Sequence, residues 1–337
     1  MFVMKIFPER LTLKRLLVHF QRIDVSINVL SATFLRLIIG VARRISNNIV
    51  LDTNRFVSAN RLRVKKWESD ALYYRNPLEE KISIAIVATE KDFELLTKCI
   101  YFAKKSLDDY YSGYTYVVVP RLQVNPCKLI IQMSQFNDVL VISEDEFINE
   151  SEALKLKQKF GSRFGWALQQ ILKLGQVLSS NTPYTLIVDC DTLLLQKRNW
   201  ISNRKQILFP SWEYNQPYYD LLSRFGICEL YPDYTFVTHH MLMKKEFLIE
   251  ALSCMRVSSL ADVVTFVINN STDDPSPFCI EYELYGQYLY KFKSDYFFME
   301  KWSNTSVLRK DITDCTNEEI ELKYSKFASI SAHSFLN

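Results

Sequence analysis

From residue 81 onward, short runs of β-branched and aliphatic residues alternate with longer amphipathic stretches, and this alternation limits the possible folds more than any other feature. "KISIAIVAT" (81–89) is apolar without polar alternation, the pattern of a strand covered on both faces. A helix is predicted from Asp92 to Leu107, then strands at "YTYVVVP" (114–120), closed by Pro120, and "DVLVIS" (138–143). "FGWALQQILKLGQVL" (164–178) reads as a helix. Phe164, Leu168, Ile171, Leu172 and Gly175 form one face of it; Trp166, Gln170 and Lys173 share the opposite face, where Lys173 either meets a phosphate or sugar hydroxyl or is simply solvated. Strands spaced by helices imply an α/β fold with a mostly parallel central sheet flanked by helices. Ligands of such sheets sit outside the carboxyl ends of the strands.

Downstream, further strands are expected at "QILFP" (206–210), "YTFVTHHMLM" (234–243) and "FASISAHSF" (327–335), with a helix from Lys245 to about Met255. Thr316 and Glu319 have capping-box spacing and open a short helix.

The stretch "LIVDCDTLLL" (186–195) sets Asp189 and Asp191 inside an apolar run. Burying a carboxylate is costly unless its charge is offset. If the strand is Tyr184–Val188, both aspartates fall at its carboxyl end, where a divalent metal can neutralise them. Two enzyme classes use such a pair. In haloacid-dehalogenase phosphatases, Asp-x-Asp-x-Thr lies near the chain start; here Thr192 follows the second Asp directly and the motif lies past mid-chain. In the other class, Asp-x-Asp ends a central strand and holds a metal against a nucleotide diphosphate.

Other features narrow the chemistry. The chain has 7 glycines, none spaced as a dinucleotide fingerprint, and no Gly-Lys-Ser/Thr, so no glycine loop cradles phosphates. The 7 cysteines form no Cys-x-x-Cys and are odd in number, which argues against a disulfide framework or structural zinc and for a reducing, cytoplasmic setting. No signal-peptide pattern is evident.

Residues 1–66 hold 13 Lys/Arg against 3 Asp/Glu, a net +10; with +3 overall, the remainder carries −7. Within this segment "INVLSATFLRLIIGVARR" (27–44) is interrupted by Arg36 and too short to span a bilayer. Ile27, Leu30, Phe34, Leu37, Ile38 and Val41 share one helical face. Such a helix either packs on the main domain or lies peripherally on an anionic membrane, here the inner face. No nucleic-acid motif is present. The expected division is a basic, mainly helical extension (1–80) and a catalytic domain (81–337).

Residues 81–337 resemble the GT-A glycosyltransferases, and among them an uncharacterised bacterial group, on "GWALQQILKLG" before the Asp-x-Asp, "FVTHHMLMKKEFL" after it, and "IEYELYG". The resemblance implies a nucleotide-sugar donor, a glycan or lipid-linked acceptor, and Mn²⁺ or Mg²⁺ as cofactor. It implies Asp189 on the donor ribose or the metal, Asp191 on the metal, and His333 as a further metal or phosphate ligand. Lys173, His239, His240 and Thr89, at the end of the first strand, would line the donor site. Related enzymes often have glycine where this chain has the histidine pair. Glu281, or else Glu283, would be the acceptor base of an inverting enzyme; the opposing reading is an acidic first turn favoured by the helix dipole. Two alternatives stand beside this one: a metal-dependent phosphatase or nucleotidyltransferase, and a non-catalytic, membrane-attached scaffold that binds nucleotide.

Overall fold

The computed structural model describes residues 81–107, 111–211, 215–271 and 281–333. The basic extension, with its 27–44 stretch, lies outside the described residues. In chain order the strands are β1 (Ile82–Val87), β2 (Tyr111–Val119), β3 (Val139–Ser143), β4 (Tyr184–Asp189), β5 (Thr192–Leu194), β6 (Ile201–Ser202), β7 (Lys205–Leu208), β8 (His240–Lys244), β9 (Phe297–Met299), β10 (Asn304–Ser306) and β11 (Ser329–Ser331). The helices are α1 (Phe93–Leu107), α2 (Val124–Met133), α3 (Glu150–Phe160), α4 (Phe164–Ser179), α5 (Gln216–Arg224), α6 (Lys245–Cys254), α7 (Leu260–Asn270), α8 (Tyr282–Phe292), α9 (Lys310–Thr313) and α10 (Asn317–Tyr324).

The central sheet runs β3-β2-β1-β4-β8; its first four strands are parallel, and β8 pairs antiparallel with β4. The fold is therefore α/β with a mostly parallel sheet and helices on both faces, as the strand–helix alternation implies. Strand residues point alternately to opposite faces. Leu186 and Val188 join the apolar cluster beneath α1, with Leu95, Leu96 and Phe102, while Ile187 joins α4 through Ile171, Leu174 and Val177. Each such fully buried aliphatic side chain contributes about 1.5–3 kcal/mol. The same parity carries one step further: Asp189 falls on the α4 side and Cys190 on the α1 side, in the cluster that holds Cys99.

Helix α4 has no solvated face along most of its length. The face with Leu168, Ile171, Leu172 and Gly175 meets α3 and α7; a Cβ at Gly175 would lie 2.7 Å from Phe147 and 2.8 Å from Leu260. The opposite face, with Gln170 and Lys173, packs on the sheet and is also buried. Lys173 is 1% exposed, so the solvated alternative for it is corrected. Periodicity marks two faces of a helix but does not say which one faces a sheet.

The apolar run 184–195 breaks at Cys190 and Asp191 and crosses between sheets. β5 leaves the central sheet and pairs antiparallel with β11, which pairs parallel with β10. Because Ala332 N–H donates to Asp191 O at 2.8 Å, this small sheet sets the C-terminal segment against the aspartates. β6, β7 and β9 form a third sheet, so the strand expected at 206–210 lies outside the central one.

The expected strand 234–243 shortens to β8, and it runs antiparallel. Residues before it are buried without a ladder, apart from one bridge between Ser211 and Thr235. A side chain supplies what a strand neighbour would have: Phe236 N–H donates to the Glu283 carboxylate at 2.7 Å. The Thr316–Glu319 capping box forms as expected, with reciprocal bonds of 2.7 and 3.2 Å. Helices α2, α3, α5, α7 and α9 are not expected from the sequence. Among the described residues no helix is long and apolar enough to cross a membrane.

Candidate active site

At the carboxyl end of β4 the structure gathers Asp189, Asp191, Lys173, His239, His333, Glu281 and Tyr282. Five separate segments supply them. Lys173 comes from α4, beneath the sheet. Asp189 ends β4 and Asp191 begins the crossing to β5. His239 immediately precedes β8; because β8 is antiparallel, its start lies beside the end of β4. Glu281 and Tyr282 open α8, and His333 follows β11.

Asp189 accepts three side-chain hydrogen bonds. Lys173 Nζ lies 2.5 Å and Tyr282 Oη 2.9 Å from Oδ1, and His239 Nδ1 lies 3.1 Å from Oδ2. Its backbone N–H also donates to His239 O at 2.8 Å. That double contact requires His239 to adopt φ +61°, the left-handed region that favours glycine. His239 thus holds a glycine-like backbone at this turn, and its ring folds back onto Asp189. Burial opposes the Asp189 charge, but Lys173 and His239 outweigh it and hold the carboxyl well below its ordinary range.

Glu281 shares the same ammonium less favourably. Lys173 Nζ lies 3.1 Å from Glu281 Oε1, and Oε2 is buried with no hydrogen-bond partner. Two carboxylates compete for one cation, and Asp189 wins by distance and by number of donors. Burial, helped by the Asp189 charge, therefore raises Glu281 to about 7 against the pull of Lys173. Lys173 is itself desolvated, yet its two carboxylate neighbours outweigh burial and raise its pKa.

Asp191 is partnered differently. Its Oδ2 lies 3.2 Å from His333 Nδ1, and Thr192 Oγ1 lies 3.5 Å from its Oδ1. Burial opposes its charge as well, and His333 more than compensates, lowering the pKa. The imidazoles of His239 and His333 sit 4.8 Å apart, centroid to centroid, and Trp302 lies 6.0 Å from His239.

A carboxylate and an imidazole are donors that Mn²⁺ accepts. Ligand atoms at right angles on an ion with bonds of roughly 2.1 Å lie about 3 Å apart, close to the observed Asp191–His333 spacing. Among the described residues no three His, Cys, Asp or Glu side chains are arranged to hold one ion. Asp189, expected as a third ligand, already has its Oδ1 on the Lys173 ammonium, a cation that would lie against the ion. The residues therefore fit a two-donor site, which small divalent ions commonly complete with water and substrate phosphates.

Three expected site residues are placed elsewhere. His240 turns into the core: Nδ1 lies 2.8 Å from Thr238 O, Trp200, Phe209 and Trp302 pack around the ring, and burial lowers its pKa to about 3. Glu283 is fully buried and accepts from Phe236 N–H and the Gln287 amide, which makes it a brace for the 234–238 segment. Alternation on β8 and helical phase on α8 turn these two away from their site-facing neighbours. Thr89 sits at the same sheet edge, but its hydroxyl donates to Asp92 at 3.0 Å within a capping box.

Two contributors were missed. Tyr282 lay between the two glutamates that were weighed, and its hydroxyl carried no sequence signal. Arg309, 7% exposed, donates to Ala332 O at 3.2 Å, Lys91 O at 2.5 Å and Asp92 Oδ1 at 2.7 Å. It thereby fastens the segment bearing His333 to the turn after β1. Nothing in the sequence around Arg309 marks it.

A model for a family of unknown function (DUF6492) matches residues 82–202 of the 337. No curated protein matches. Among solved structures, the chain is similar to the mannosyltransferase Ktr4p from S. cerevisiae at TM-score 0.38 and 10% identity, covering 59% of this chain and 64% of that one. It thus spans less than two thirds of Ktr4p. It is similar to an active-site mutant of LgtC at TM-score 0.43 and 10% identity, covering 74% and 86%. The galactosyltransferase LgtC with donor and acceptor sugar analogues gives TM-score 0.41 and 10% identity over the same shares. Likeness at this level leaves function to be read from the side chains.

Proposed function

We propose that this chain is a GT-A-type, metal-dependent glycosyltransferase that moves a sugar from a nucleotide-sugar donor to a surface glycan or lipid-linked acceptor. The supporting observation is the convergence of Asp189, Asp191 and His333 at the carboxyl end of β4, beside a buried Lys173–Glu281 pair. Asp191 and His333 would hold the divalent ion, which when bound offsets charge on the leaving diphosphate. Asp189, fixed in place by the buried Lys173, would orient the donor by charge and hydrogen bonding. In the transfer step the bond between anomeric carbon and diphosphate oxygen breaks, and its electron pair leaves with the nucleoside diphosphate. The acceptor hydroxyl oxygen bonds that carbon, and its proton passes to Glu281. A base poised at about 7 suits catalysis near neutral pH. The basic extension, net +10 over residues 1–66, would hold the enzyme peripherally on an anionic bilayer where a lipid-linked acceptor resides.

The test is thermal unfolding with nucleoside diphosphates, with and without Mn²⁺, followed by incubation with a panel of nucleotide-sugars. Transfer, or hydrolysis at the anomeric bond, is the expected outcome. Release of nucleoside monophosphate would instead favour a phosphatase or nucleotidyltransferase, and binding without turnover would favour a scaffold.

A further inference from the structure

The two aspartates of Asp189-Cys190-Asp191 each meet an imidazole, but only Asp189 is also in direct contact with an ammonium. Asp189 is paired with a 1%-exposed ammonium, backed by the Tyr282 hydroxyl and ring, whose centroid lies 4.8 Å from Lys173 Nζ. Asp191 has an imidazole and a hydroxyl; among the described residues no Lys or Arg touches it, and the Arg309 guanidinium, a permanent cation that feels its charge, is bonded to Asp92. A buried lysine cannot withdraw to solvent when a second cation approaches. It sits in a fully packed helix, held from one side by Asp189 and from another by Glu281.

We propose that Lys173 is a built-in counter-cation that withdraws Asp189 from metal coordination. A divalent ion placed on both aspartates would bring two further positive charges against an ammonium that already occupies Asp189 Oδ1. Coulomb repulsion at such distances in a poorly solvated site disfavours that arrangement strongly. The ion is left with Asp191 and His333, too few anionic donors for tight binding on their own. A corollary, which rests on the glycosyltransferase reading, is that a diphosphate supplies the missing charge. Metal and nucleotide then enter interdependently, each raising the other's affinity by the same factor.

The experiment is Mn²⁺ titration of the full chain, followed by the electron paramagnetic resonance signal of unbound Mn²⁺, without nucleotide and with UDP or GDP. Wild type is expected to bind Mn²⁺ alone weakly, and Asp189→Asn, which leaves the Lys173 ammonium uncompensated, to bind it no more tightly. Lys173→Met exposes a second carboxylate to the ion and is expected to tighten Mn²⁺ binding about tenfold or more. Lys173→Met/Asp189→Asn is expected to return to the wild-type value, and Lys173→Arg to stay weak. Thermal unfolding establishes that each variant is folded. If Lys173→Met does not fold, Lys173→Gln takes its place; unchanged Mn²⁺ affinity in whichever of the two folds overturns the assignment. If UDP and GDP alter Mn²⁺ binding in no variant while Lys173→Met still binds the ion more tightly, the glycosyltransferase reading fails and the Lys173 assignment stands.

Discussion

Replacing Glu281 by glutamine separates the buried carboxylate from its charge while keeping its shape. The folded protein holds the Glu281 proton up to about 7, against 4.5 for an unburdened carboxyl. A group whose pKa is raised on folding contributes stability that is complete below the unfolded value and is lost as pH rises through the folded one. The window is therefore about pH 4.5 to 7. At about 1.4 kcal/mol per pH unit, a rise from 4.5 to about 7 corresponds to about 3 kcal/mol lost across it. Asp189 works in the opposite sense, but its pKa is lowered, so its contribution falls away only below about pH 4 and leaves the window clear. Glutamine cannot ionise and still offers Lys173 an acceptor. Urea unfolding at a series of pH values should show wild type and Glu281→Gln nearly equal at pH 5. By pH 8 the variant should be the more stable, by roughly 1–3 kcal/mol. Parallel stability curves from pH 5 to 8 would refute the reasoning, because they would mean that Glu281 does not hold its proton more tightly in the folded state.

Other substitutions probe separate parts of the site. In a transfer assay Glu281→Gln should cost on the order of 10²-fold or more while donor affinity barely changes, and normal turnover would remove Glu281 as the base. Asp191→Asn should keep its melting temperature yet lose the Mn²⁺-dependent shift with nucleoside diphosphate, which in wild type at a hundred times Kd amounts to about 2.7 kcal/mol. Arg309→Met leaves Asp92 half-buried without its guanidinium and should cost about 2–4 kcal/mol by chemical unfolding, with Arg309→Lys recovering little because one ammonium cannot reach three acceptors. Gly175→Ala forces a methyl against Phe147 and Leu260 and should destabilise by about 1–3 kcal/mol in the same assay. The full chain should co-sediment with anionic but not neutral vesicles, less so in high salt or with Arg36, Arg43 and Arg44 changed to Ala, at about 1 kcal/mol per basic residue near the surface.

Local patterning determined much of this protein. The apolar runs of β1, β2, β3 and β4, the amphipathic α1 and α4, and the capping box at Thr316 were all legible, because period and capping chemistry act between residues near in sequence. So was the place of Asp189 and Asp191 at a strand's carboxyl end. The tertiary structure alone decided which carboxylate meets which cation. His333 reaches Asp191 across 142 residues because β11 pairs with β5, and Glu281 reaches Lys173 across 108 because α8 packs over the sheet edge. Lys173 was the least legible: its helix is amphipathic by count, but both faces are covered, one by helices and one by the sheet. Glu283, two residues after Glu281, points away by helical phase, and His240, next to His239, points away for the same geometric reason that Asp189 points inward. Adjacent positions on a strand face opposite sides, and a sequence states that parity without saying which side will hold the ligand.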